Sequence, residues 1–220
     1  VSSVGTLWLY VSSDNYQDFR LDIGVKTKNK DVPVPNGTIS ASDITYGQAL
    51  NDSKIAGKMK AGGKAIDGTF TWTNGTFKPA AGDYPASWTF TPAKGYEEYA
   101  TATGTATVTV NPKAVTVSIT PNGGTYGSVT AAAAVLSGVV DGETVPVTLT
   151  YTGTANDGTE YTGTTPPTKA GTYTVTATIT DRNYTLDADT ATAKFTVAKR
   201  RATVTPDNKS KVYQEKDPDL

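Results

Sequence analysis

Neither histidine nor cysteine occurs in this 220-residue chain, and methionine occurs once. Without histidine the chain lacks the usual acid/base group of neutral pH and the commonest metal ligand. Without cysteine it has no thiol nucleophile, no thiolate zinc site and no disulfide. Its serines have no imidazole to activate them, which excludes the ordinary Ser-His-Asp arrangement. An excess of either charge is lacking too. Twenty Lys and Arg stand against 21 Asp and Glu, interspersed, for a net charge of −1. That leaves no electrostatic footprint for nucleic acid or for an anionic membrane. No apolar run approaches the roughly 20 residues of a membrane span, so no membrane insertion is expected within the segment. The chain opens on Val1 without a signal peptide, so a mature or excised piece is expected, with any targeting signal outside it.

What is abundant is threonine, with about 40 residues. Its β-branching favours strands. In residues 170–180 threonine fills every even position from Thr172 to Thr180, while Tyr173, Val175, Ala177 and Ile179 fill the odd ones. Strict alternation predicts a strand with one buried and one wet face. A second copy runs from Ala81-Gly82-Asp83-Tyr84 through Ala86, Trp88 and Phe90. Threonine rows on a twisted sheet are read as β-propensity on a wet face rather than as an ice-binding or glycosylated array.

This recurrence divides the chain. Residues 1–31 read as the C-terminal part of a repeat unit, because Trp8, Tyr10 and Tyr16 keep the spacing of Trp88, Phe90 and Tyr96. Residues 32–37, with Pro33 and Pro35, read as an extended linker. Complete units are expected over 38–111 and 114–198, joined by Asn111-Pro112-Lys113, and the start of a further unit over 202–220. In the first unit Ala49-Leu50 and Ile55 suggest a second strand, and Gly62-Gly63 and Asn74-Gly75 are turn signals. The second unit has a connection about ten residues longer before its Tyr173 strand, and its Ala131–Leu136 stretch is read as strand despite alanine's helix preference. Seven or so short strands per 80 to 90 residues predict an all-β chain of tandem immunoglobulin-like antiparallel β-sandwiches. The partial first unit has an apolar face that needs cover, from the first full unit or from another chain by strand addition.

The aromatic residues divide by position. Trp8, Trp72 and Trp88 share parity with apolar neighbours and are expected in cores. Tyr84 and Tyr173 follow Ala-Gly turns, as a tyrosine corner does, and are assigned structural roles with Trp72 and Trp88. Phe77 and Tyr161 fall in turn-rich connections, where binding residues tend to lie, and are the candidate ligand contacts. Asn156, Asp157 and Glu160 offer oxygen ligands but lack the ladder of a calcium loop, so they are read as a solvated turn. Scattered carboxylates make no organised glycosidase pair. A Lys–Asn cross-link involving Asn111 with Lys113 or Lys199 would require a buried lysine among positions that read apolar. No catalytic residue, cofactor or metal site is expected.

Thr45-Tyr46-Gly47, Thr125-Tyr126-Gly127 and Lys211-Val212-Tyr213, the two Ala-Gly-x-Tyr strands, Asn15-Tyr16, Asn183-Tyr184 and the terminal Glu215-Lys216-Asp217-Pro218-Asp219-Leu220 together resemble the bacterial immunoglobulin-like surface repeats of the MBG type. The resemblance implies an extracellular, cell-surface or secreted location and a stalk role, projecting a distal domain and contacting neighbouring repeat units. It also admits an adhesin module for a host glycan or protein, or an accessory module of an extracellular carbohydrate-active enzyme. Gln214, where the other two copies carry glycine, departs from the pattern.

Overall fold

The computed structural model describes residues 2–27, 29–206 and 208–217. The terminal Pro218-Asp219-Leu220 of the family-like motif lies outside the described residues. The chain is nearly all-β with several sheets, and its contacts divide it into two units, Val1–Lys113 and Ala114–Leu220.

The first unit opens with a hairpin of β1 (Ser2–Val11) and β2 (Phe19–Thr27). The register pairs Leu7 with Ile23, Leu9 with Leu21 and Val11 with Phe19. The pleat therefore gathers the odd-numbered apolar residues of both strands on one face and sends Trp8 and Tyr10 to the other. There the Arg20 guanidinium lies 4.8 Å from the centroid of the Trp8 ring, and Trp8 remains 62% exposed rather than entering a core. The spacing that equates Trp8 with Trp88 does not carry their parity with it.

The unit continues through β3 (Val34–Pro35), β4 (Ser40–Ala41), β5 (Ile44–Thr45), β6 (Ile55–Ala56), β7 (Met59–Ala61), β8 (Lys64–Ile66), β9 (Gly68–Trp72), β10 (Gly82–Pro92) and β11 (Ala102–Asn111). The stretch read as a linker is sheet instead. Val34 pairs with Lys60 and Pro35 with Met59, Asn36 N–H donates to Lys58 O, and Pro33 is fully buried. The strand expected around Ala49 is a 3-10 turn at Leu50–Asp52 followed by the two-residue β6. Gly62 and Gly63, at φ 56° and 81°, close the β7–β8 hairpin as its tight loop requires.

The core of this unit lies between the sheet β5-β11-β10-β9 and the smaller β3-β7-β8 sheet. From β10 it takes Ala86, Trp88 and Phe90, and from β11 Ala102, Ala106, Val108 and Val110. Met59, Ala61 and Ile66 face them from the smaller sheet. Size alternates across the strands. Trp88 stands opposite Gly104 on β11, and Phe90 opposite Ala102.

The second unit runs through β12 (Lys113–Thr120), β13 (Gly124–Thr125), β14 (Ala133–Ser137), β15 (Thr148–Ala155), β16 (Glu160–Gly163), β17 (Gly171–Thr178), β18 (Tyr184–Leu186) and β19 (Thr192–Ala198). Its sheets are ordered β14-β12-β18 and β13-β19-β17-β15-β16. In β17 the alternation is literal, since Tyr173, Val175 and Ala177 are buried and Thr172 and Thr178 are exposed. The alanine-rich stretch joins β12 as strand β14.

Candidate functional site

In the second unit, candidate chemistry gathers where the β15–β16 hairpin meets the entry to β17. Gly158, at φ 81°, lets the chain turn between the two strands. Ala155 N–H donates to Thr159 O across that turn. Asp157 then accepts the Thr159 backbone N–H at 3.0 Å and receives the Lys169 ammonium at 2.9 Å. Lys169 Nζ also donates to Thr159 Oγ1 at 3.2 Å. The bonds from Lys169 and Thr159 hold the Asp157 carboxyl well below the usual carboxylate range, and Asp157 in turn raises Lys169.

Tyr161, expected in a loop, lies in β16 and is partly buried. Its hydroxyl donates to Thr165 O at 2.7 Å, and its ring meets Tyr173 edge-on with centroids 6.2 Å apart. Tyr173 is buried, and its hydroxyl donates to Lys169 O at 2.9 Å, four residues upstream. Burial, above all, raises the pKa of that hydroxyl. Around these residues lies a cavity of about 200 Å³ lined by Thr159, Glu160, Tyr161, Pro167, Lys169 and Tyr173. Glu160 Oε1 accepts a bond from Thr154 Oγ1 at 2.8 Å. Every polar group just named is thus engaged with a neighbour, an arrangement suited to holding the hairpin on β17.

Phe77 lies in the first unit, in the connection between β9 and β10, whereas Tyr161 belongs to the second. It is 40% exposed, and its ring sits 5.3 Å from that of Tyr84 at 33°. Its carbonyl accepts Leu50 N–H and its own N–H donates to Asn74 O. Tyr84 is half-buried against the core. Trp72 is buried with Nε1 donating to Ser53 O at 2.9 Å, whereas the buried Trp88 Nε1 has no hydrogen-bond partner among the described residues.

One feature of the first unit was missed by residue-level reasoning. An open groove of about 640 Å³ runs beside the edge strand β9, lined among others by Ile55, Met59, Asp67, Phe70 and Phe90. In the second unit β15 gains an extra neighbour, β16, along Tyr151–Thr154, and the longer connection in the sequence holds that strand.

No protein-family model matches the chain, and no curated protein matches it in sequence. Among the described residues no helix is long and apolar enough to cross a membrane.

Proposed function

We propose that this segment is a non-catalytic spacer, built of immunoglobulin-like units in series within a bacterial cell-surface or secreted protein. The observation that carries the reading is how each unit closes. β5 lies parallel on β11, pairing Ile44 with Val110 and Thr45 with Asn111, and Tyr46 N–H donates to Asn111 O at 2.9 Å. β13 lies parallel on β19, pairing Gly124 with Val197 and Thr125 with Ala198, and Tyr126 N–H donates to Ala198 O at 2.8 Å. In each case a short strand near the start of the unit rests on the unit's last strand. Tension on the two ends then pulls a parallel pair in opposite directions. Its evenly spaced bonds are loaded together in shear instead of opening one by one.

Other features support the same reading. The strand order of the second unit and the Tyr173–Lys169 bond fit an immunoglobulin-like sandwich with a tyrosine corner. β11 ends at Asn111 and β12 begins at Lys113, so Pro112 alone connects them. The cavity beside Tyr161 and the groove beside β9 favour a second reading, an adhesin module for a host glycan or protein.

A glycan array probed with the parent chain and with the Phe77→Ala and Tyr161→Ala variants separates the two. The spacer reading predicts no glycan retained by any of the three. A glycan held by the parent and lost by either variant would replace it with the adhesin reading.

A further inference from the structure

The groove beside β9 opens where a hairpin divides. β7 and β8 keep their register as far as Met59 opposite Ile66. Continued, that register would set Gly57 against Gly68 and Ile55 against Phe70. Instead β6 pairs with β4 and β9 with β10, and the two arms part around the groove. Among the described residues β9 is the edge of its sheet. Its Gly-Thr-Phe-Thr-Trp carries none of the lysines or prolines that guard an exposed edge.

The ladders fix which backbone groups face the groove. In an antiparallel pair, residues that bond the neighbouring strand alternate with residues that turn N–H and C=O the other way. Ala93 N–H donates to Asp67 O and Thr73 N–H to Ser87 O, so Gly68 and Phe70 turn away from β10. Ser42 N–H donates to Lys54 O and Asn36 N–H to Lys58 O, so Ile55 and Gly57 turn away from β4 and β3. Among the described residues no hydrogen bond engages the backbone of these four. Beneath them lie the buried Met59, Ile66 and Phe90. A Cβ at Gly68 would run into Phe90 and one at Gly57 into Ile39, so bare backbone lies on an apolar floor. Side chains one position along take the opposite, solvent face. There Lys58 stands on one bank and Thr69 on the other, with Asp67 at the closed end. The adjoining hollow, which shares Ile55 and Phe70, adds Lys54. Neither ammonium has an ion-pair partner among the described residues.

We propose that this groove takes an extended segment of a partner protein, apolar at alternate positions and acidic between them. The segment adds to the free edge of β9, exchanging bonds with the backbone of Gly68 and Phe70. Its apolar side chains lie on Met59, Ile66 and Phe90. Its acidic side chains point to solvent, where Lys54 and Lys58 meet them as cross-strand pairs of opposite charge. The unpaired backbone selects a polypeptide rather than a sugar, because an extended chain presents its donors and acceptors at the ladder's own spacing. The site rests on the ladder geometry and does not require the spacer reading.

An NMR titration of the full chain with a blocked hexapeptide alternating valine and glutamate tests the proposal. The amides of Gly57, Gly68 and Phe70 are expected to shift together as the peptide is added. A peptide alternating valine and lysine is expected to bind about tenfold more weakly. In Lys54→Glu/Lys58→Glu, which changes two exposed side chains, that preference should reverse. The glutamate peptide N-methylated throughout has the same side chains without backbone donors, and is expected to leave the three amides where they were. Unmoved amides up to about 1 mM glutamate peptide would overturn the proposal. So would equal binding of the two peptides to the parent, a charge preference unchanged in the double variant, or undiminished binding of the methylated peptide.

Discussion

Gly104 is small because Trp88 is large. A Cβ at residue 104 would come within 2.4 Å of Trp88 Cζ2 in a ring already packed edge-on against Phe70. Gly104→Ala is expected to destabilise the first unit by about 1–3 kcal/mol, as overpacking of a filled core does. Urea unfolding followed by tryptophan fluorescence, which arises wholly from the first unit, should show the loss, while the second unit's transition, followed by far-UV circular dichroism, stays in place. Tyr173 makes the matching case there. Tyr173→Phe removes its bond to Lys169 O and is expected to cost about 1 kcal/mol at neutral pH. Burial raises the folded pKa of this phenol, and burial followed by the Glu143 bond raises that of Tyr184. The unfolded chain therefore loses these protons first. The associated stability is complete below the ordinary phenol pKa of about 10 and is lost as pH climbs past it. Thermal melting across that range should show the alkaline loss, smaller in Tyr173→Phe. The alternation in the sequence marks Trp88 and Tyr173 as inward-facing. It does not show that Gly104, or Gly153 opposite Tyr173 on β15, makes room for them, because that complementarity is set across strands.

Elements with long alternating runs were legible, and those fixed by distant partners were not. β10, β11 and β17 can be read from period two alone. Pro33 and Pro35 read as a free extended linker because an unpaired extended chain and an edge strand share nearly the same dihedrals. What makes β3 a strand is its pairing with β7, some 25 residues on. The turn-rich connection before β17 was legible as an insertion, but its pairing as β16 was not, since Thr162 and Gly163 give no strong strand signal. There Asp157 and Lys169 tie the β15–β16 turn to the approach of β17. The sign of the Asp157 shift means its contribution is present above the ordinary carboxylate pKa and fades as pH falls through the lowered one. Both partners are about half exposed, so the effect on stability is small. An NMR titration of the Asp157 carboxyl should show a midpoint well below that of an exposed aspartate, moved back toward it by Lys169→Ala. An ordinary midpoint in the parent would dismiss the ion pair.

At the scale of the molecule, the all-β class was readable from composition and turn spacing, because threonine-rich alternation admits little else. The candidate site was less so. Tyr161 and Phe77 could be found as aromatics in turn-rich connections, yet the sequence could not show that Tyr161 spends its hydroxyl on Thr165 or that Phe77 rests on Tyr84. Nor could it show the groove beside β9, whose lining comes from β6, β7, β8, β9 and β10. The central claim is mechanical, and single-molecule pulling on the chain held at its two ends tests it most directly. The account predicts two separate unfolding steps, each releasing roughly 25–30 nm for units of about 75–85 residues at ~3.6 Å per residue. Smooth extension without steps, as of an unstructured chain, would contradict it.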